Sequence, residues 1–180
     1  METGWGRLIL EHVDRGGAVF GLCGGYQILG TFVRDEVGIE GVPGTSEGLG
    51  LLPIDSVISS TDEKVVTPRT ALLNGSEKVH GFELHCGQTT RAPGTETLLH
   101  ILDTNEAEGA RMGKVSGCYL HGILRSKHAR QILLHLPEMK DISSQEEPTR
   151  TPDPLDRLAN HLETCGLTLE TIMAMTQYVK

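Results

Sequence analysis

The stretch that decides the fold is Ala18-Val19-Phe20-Gly21-Leu22-Cys23-Gly24-Gly25-Tyr26-Gln27-Ile28-Leu29. Residues 18–22 form a short apolar run bounded by glycine, as expected of a buried parallel strand. Cys23-Gly24-Gly25 follows at once, and Tyr26–Leu29 can open a helix. A strand, a sharp turn around a nucleophilic residue and a helix make a nucleophile elbow. Small neighbours are needed there because the turn is tight and the strand lies close to the helix. Cys23 would project from the sheet edge at the helix N-terminus, where the dipole favours negative charge. The backbone N–H of Gly24 would point at a developing oxyanion. A lone cysteine with turn glycines reads equally as an inert strand-end thiol, so the case needs a second residue.

That residue is a base, since a thiol nucleophile needs one. Among eight histidines, His121 in Gly117-Cys118-Tyr119-Leu120-His121-Gly122 stands at the end of a strand expected over 114–120. In parallel sheets, reactive groups gather at the carboxyl ends of strands. His85, closing the strand candidate Phe82–His85, has the same placement. The other histidines read as ordinary polar or partly buried residues. His161 and Cys165 lie one helical turn apart, but two ligands do not make a metal site. No metal is expected.

Working outward, Trp5, Leu8, Ile9 and Val13 recur at helical spacing, and Gly16-Gly17 ends that helix. Residues 38–50 are glycine-rich and read as loop. Further strands are expected within 51–58, 62–74 (near a hairpin) and 98–102. Ser126 should cap a helix running to about residue 136. Residues 137–153 are rich in Pro, Ser and Glu and read as an exposed connector. Leu155, Leu158, Ala159 and Leu162 share one helix face, and 169–178 should form a last helix. Strands mixed with helices point to an α/β layered fold.

Composition narrows the function. With 180 residues, 38% of them hydrophobic, the chain suits one compact domain. A net charge of −8 without basic runs disfavours nucleic acid and anionic membrane surfaces as partners. No apolar run approaches the roughly 20 residues of a membrane span. The four cysteines are dispersed and no secretory signal precedes them, so a soluble cytoplasmic protein is expected. The loop 38–50 lacks the GxxxxGK[ST] form of a phosphate loop.

The motifs together resemble a known family. Gly21–Gly30 is similar to the nucleophile motif of class I, triad-type glutamine amidotransferases. Its Gly-Gly-Tyr-Gln variant resembles the branch found in cobyric acid synthases and cobyrinate diamide synthases. Glu47-Gly48-Leu49-Gly50-Leu51-Leu52, Gly81–Thr89 and Tyr119-Leu120-His121-Gly122 resemble further motifs of that branch, in order. The helix with Asp156-Arg157-Leu158-Ala159 favours cobyric acid synthase over a peptidoglycan-amidating relative.

The resemblance implies a flavodoxin-like α/β sandwich with a mixed, mostly parallel central sheet flanked by helices. It implies Cys23 as nucleophile and His121 as base. Gly24, Gln27 and His85 are implied in oxyanion or substrate binding. The domain would span 1–180 and lack N-terminal strands that the family carries upstream. Glutamine would be the substrate, and ammonia would pass to a synthetase partner that amidates corrinoid carboxylates. ATP and magnesium would belong to that partner, with no cofactor in this domain. Many triad-type relatives orient the histidine with a glutamate two residues on. Here that position is Ile123, which leaves Glu83 as a candidate orienting group. The same chemistry would serve cobyrinate diamide synthesis or a peptidoglycan ligase. A non-catalytic interaction module and a hydrolase of another amide or ester complete the alternatives.

Overall fold

The computed structural model describes residues 4–59, 66–85, 87–136 and 154–166. It divides into two units, residues 1–138 and 139–180, and the first carries every element of interest. In chain order these are α1 (Trp5–Asp14), β1 (Val19–Leu22), α2 (Gly24–Leu29), β2 (Phe32–Asp35), β3 (Gly44–Glu47) and β4 (Ile54–Val57). Next come β5 (Thr67–Leu73), β6 (Glu77–Glu83), β7 (Gln88–Arg91), β8 (Leu99–Ile101) and β9 (Ala107–Glu108). β10 (Ala110–Met112), β11 (Val115–Cys118), β12 (Leu120–His121), a 3₁₀ turn (Ile123–Arg125) and α3 (Lys127–Leu134) complete the unit. The second unit contributes α4 (Pro154–Thr164). The expected connector over 137–153 and the last helix lie outside the described residues. No helix among the described residues is long and apolar enough to cross a membrane.

The strands assemble in the orders β1–β11–β10, β12–β6–β5–β8–β9 and β3–β2–β4–β7. The small first sheet carries helices on both faces, which is the α/β layering read from the sequence. Val19 and Cys23 pack with Tyr26, Leu29, Val115 and Tyr119 in one core cluster. Phe20 and Leu22 pack with Cys118, Leu120, Ala129 and Leu133 in another. This is the two-residue alternation of a strand, with α2 on one side and α3 on the other.

The expectation of a mostly parallel sheet is corrected. Among the described residues, parallel pairing is confined to β1–β11 and β2–β4. Parallel strands need a long crossover connection, and most links here are too short. β5 turns into β6 through Asn74 and Gly75, at φ 51° and 73°, left-handed values suited to tight hairpins. The glycine-rich stretch 38–50 is not all loop either. Residues 44–47 pair antiparallel with β2, and all four are exposed, so no apolar alternation announces them.

Two helix boundaries follow the sequence closely. The Ser126 hydroxyl accepts from the Ala129 backbone N–H at 3.1 Å, a standard N-cap. The Gly17 N–H donates back to the His12 carbonyl, which closes α1 as expected. Yet α1 buries no residue fully. Trp5 and Leu8 are 69% and 49% exposed, and Val13 is the α1 side chain packed against the core.

Candidate active site

β1 and β11 lie parallel in the register Gly21↔Gly117 and Leu22↔Cys118. Cys23 continues the ladder, its N–H donating to the Cys118 carbonyl at 3.0 Å. There the backbone breaks sharply to φ 54°, ψ −117°. For a residue with a side chain this conformation costs on the order of 1–3 kcal/mol and persists only where the surroundings impose it. α2 imposes it. The Cys23 carbonyl accepts from Tyr26 and Gln27, so the helix begins immediately past the bend. Gly24, the first helical residue, has an N–H with no carbonyl four residues back within the helix.

The elbow glycines have separate reasons. A Cβ on Gly21 would sit 2.7 Å from both the Gly25 carbonyl oxygen and Leu29 Cδ1. One on Gly117 would lie 2.5 Å from Tyr26 Cδ2. The paired glycines let α2 lie directly on the sheet. Gly24 and Gly25 themselves have open space at that position. Gly21→Ala is therefore expected to destabilise the chain by about 1–3 kcal/mol through overpacking, while Gly25→Ala costs much less. Urea midpoints of the two variants measure the difference.

His121 follows the neighbouring strand. After Cys118 the chain passes through Tyr119 and enters β12, where Leu120 pairs with Glu83 and His121 with Phe82. The His121 ring stacks on Phe82 at 5.1 Å between centroids and 8° between planes. Its Nε2 is buried without a hydrogen-bond partner among the described residues. The Cys23 thiol meets the same segment slightly further along, with Sγ 3.7 Å from the Leu84 carbonyl oxygen. Residues 82–84 thus touch both Cys23 and His121.

Glu83 does not orient the histidine. Its Oε2 accepts from Arg69 Nε at 2.7 Å, and Arg69 also binds Asp103 at 2.7 Å. Strand alternation puts Glu83 on the opposite face from Phe82. The two carboxylates raise the affinity of Arg69 for its proton, the Glu83 hydrogen bond most.

His85 and Gln27 converge on Tyr119 instead. The His85 ring stacks on Tyr119 at 3.9 Å, and its Nδ1 lies 3.2 Å from the Gly87 carbonyl oxygen. The buried Gln27 side chain donates from Nε2 to the Tyr119 hydroxyl at 3.0 Å. That hydroxyl shares a 2.6 Å hydrogen bond with Thr89, which in turn lies 2.7 Å from Ser56. Burial raises the Tyr119 pKa, so the phenol stays neutral. The network ties α2, β4 and β7 to the link between β11 and β12. Beside it opens a cleft of about 300 Å³ lined by His85, Thr89, Arg91, Glu108 and Tyr119, among others.

Residues 1–129 match the family of CobB/CobQ-like glutamine amidotransferase domains. The chain belongs to that family. The amidotransferase domain is 37% identical over 163 residues to a cobyric acid synthase of Rhodobacter capsulatus, covering 91% of this chain and 34% of the relative. It is 39% identical over 161 residues to a cobyric acid synthase of Ruegeria sp., with 89% and 33% covered. The chain therefore spans about a third of the length of these curated relatives. A crystal structure of a glutamine amidotransferase superposes at a TM-score of 0.57 over 75% of this chain and 69% of its own, at 22% identity. That likeness shows a shared fold.

Sequence reasoning missed Glu108 in the amidotransferase domain. Its Oε1 accepts from the Tyr119 N–H at 2.8 Å, while Oε2 is sealed from solvent without a partner among the described residues. Burial pushes its pKa up to about 7. Between the ordinary carboxyl value and about 7 the folded protein holds a proton that the unfolded chain has released. Stability contributed by the neutral form thus declines as pH rises through that window and is flat above it. Glu108→Gln is expected to remove this decline, worth about 3 kcal/mol in all. Urea unfolding at pH 5 and pH 8 tests it, and an unchanged pH slope in the variant would sink the assignment.

Proposed function

We propose that this chain is the glutamine-hydrolysing module of a cobyric acid synthase, supplying ammonia for ATP-dependent amidation of corrinoid carboxylates. The observation that carries the glutaminase reading is Cys23, bent to φ 54° beside the strand that delivers His121 with an unpaired, buried Nε2. The names of the curated relatives support the corrinoid assignment.

Cys23 Sγ attacks the side-chain amide carbon of glutamine, and its proton passes to His121. The tetrahedral oxyanion is held by backbone donors including the Gly24 N–H. His121 protonates the amide nitrogen as the C–N bond breaks, and ammonia departs. His121 then takes a proton from water, which attacks the thioester. The C–S bond breaks, His121 returns its proton to the departing Cys23 sulfur, and glutamate leaves. His85 and Gln27 serve the substrate site through Tyr119, whose ring and hydroxyl they hold. ATP and magnesium belong to the synthetase portion, outside this chain, and the assembly works in the cytoplasm.

The test joins the chain to a cobyric acid synthase synthetase portion with ATP, magnesium and a corrinoid acid. Amide formation is followed with glutamine or with ammonium salt as nitrogen source. Cys23→Ala should lose the glutamine-dependent reaction and keep the ammonium-dependent one. Equal loss of both would overturn the proposal, as would glutamine-dependent amidation that survives in the variant.

A further inference from the structure

We propose that Phe82 is the positioning residue of His121, holding the imidazole by face-to-face stacking where other triads use a carboxylate. The inference rests on His121 acting as the base of Cys23. Ile123, two residues past the histidine, is 1% exposed and lies in the apolar core. Glu83 is committed to Arg69 on the other face of its strand. Within the described residues, the defined contact of the His121 ring is the Phe82 face, 5.1 Å away and 8° from parallel.

The stack is fixed by backbone, not by a chance rotamer. His121 and Phe82 are register partners of the β12–β6 ladder, so their side chains emerge on the same face. Gly81 lets the two strands close up, since a Cβ there would fall 2.0 Å from the His121 carbonyl oxygen. Gly122 then turns the chain away at φ 85°. The imidazole plane is thereby set while Nε2 has no hydrogen-bond partner among the described residues. When the ring takes the thiol proton it becomes a cation, and a cation on an aromatic face is stabilised. Phe82 thus supplies orientation and part of the charge stabilisation, without fixing a tautomer.

The experiment uses the full chain in wild-type, Phe82→Leu, Phe82→Tyr and His121→Ala forms. Alkylation of Cys23 by iodoacetamide is followed by mass spectrometry of its peptide at pH 7 and pH 9.5, alongside glutamate release. At pH 7 Phe82→Leu should slow alkylation about tenfold, and Phe82→Tyr should restore it because the aromatic face returns. At pH 9.5, where thiols ionise unaided, the variants should converge. In glutamate release, Phe82→Leu should lower kcat with KM nearly unchanged. Wild-type alkylation in Phe82→Leu at pH 7, with His121→Ala slow, would overturn the inference and leave the glutaminase reading intact. Wild-type alkylation in His121→Ala would bring down both. If Phe82→Leu does not fold, the wild-type chain still decides. NOEs between the Phe82 ring and His121 Hδ2 or Hε1 are expected, and their absence overturns the proposal.

Discussion

Cys23→Ala is expected to reduce glutamate release from glutamine by about four orders of magnitude, as loss of a covalent nucleophile does when the rest of the site survives. The fold should tolerate the change. The side chain is only half-buried, and its polar contact is a long one to the Leu84 carbonyl. The strained φ of 54° is imposed by α2 and by the ladder bond to Cys118, neither of which needs sulfur. Glutamine binding, measured by calorimetry, should therefore persist in the variant. Activity that falls together with the unfolding midpoint would mean that Cys23 is structural.

His121→Ala should lower kcat by about 10²–10⁴-fold, the usual range for general acid–base groups. His85→Ala should act differently. His85 stacks on Tyr119 and bonds to Gly87, so its removal loosens the cleft wall and should raise KM more than it lowers kcat. His121 ends β12, whereas His85 lies two residues past the end of β6, and steady-state kinetics of the paired variants separate their roles. A larger kcat loss in His85→Ala than in His121→Ala would reverse the assignment of the base.

The elbow was legible because its chemistry and its sterics act through neighbours in sequence. Gly21, Cys23 and the start of α2 lie within one turn of chain, and Ser126 caps α3 by an equally local bond. His121 was legible as a strand-end residue followed by glycine. What escaped was set by distant pairing. The network Ser56–Thr89–Tyr119–Gln27 joins four segments through hydroxyls and an amide that look unremarkable in any local window. Tyr119 stood in plain view two residues before His121, and the alternation of the two was the available signal. Glu108 reads as one acid in a polar loop until the fold seals its Oε2 from solvent and binds its Oε1 to the Tyr119 N–H. Phe82 reads as an ordinary strand aromatic until β12 folds against it. The apolar stripe of α1 correctly marked a helix, yet periodicity alone cannot say what, if anything, covers each residue of the stripe.

The β1 strand separates two cores, with Val19, Gly21 and Cys23 on one side and Phe20 and Leu22 on the other. Mutational tolerance along it should therefore alternate in kind as well as degree. Odd positions bear on the elbow: changes at Cys23 would cut turnover even in protein that accumulates normally, and changes at Gly21, which crowd α2, would cut turnover on top of abundance. Even positions look toward α3 and the second sheet, so changes there would cut abundance while surviving molecules turn over at the usual rate. A saturation library scored separately for cellular level and for specific activity would show specific activity falling at the odd positions and staying level at the even ones, residue by residue.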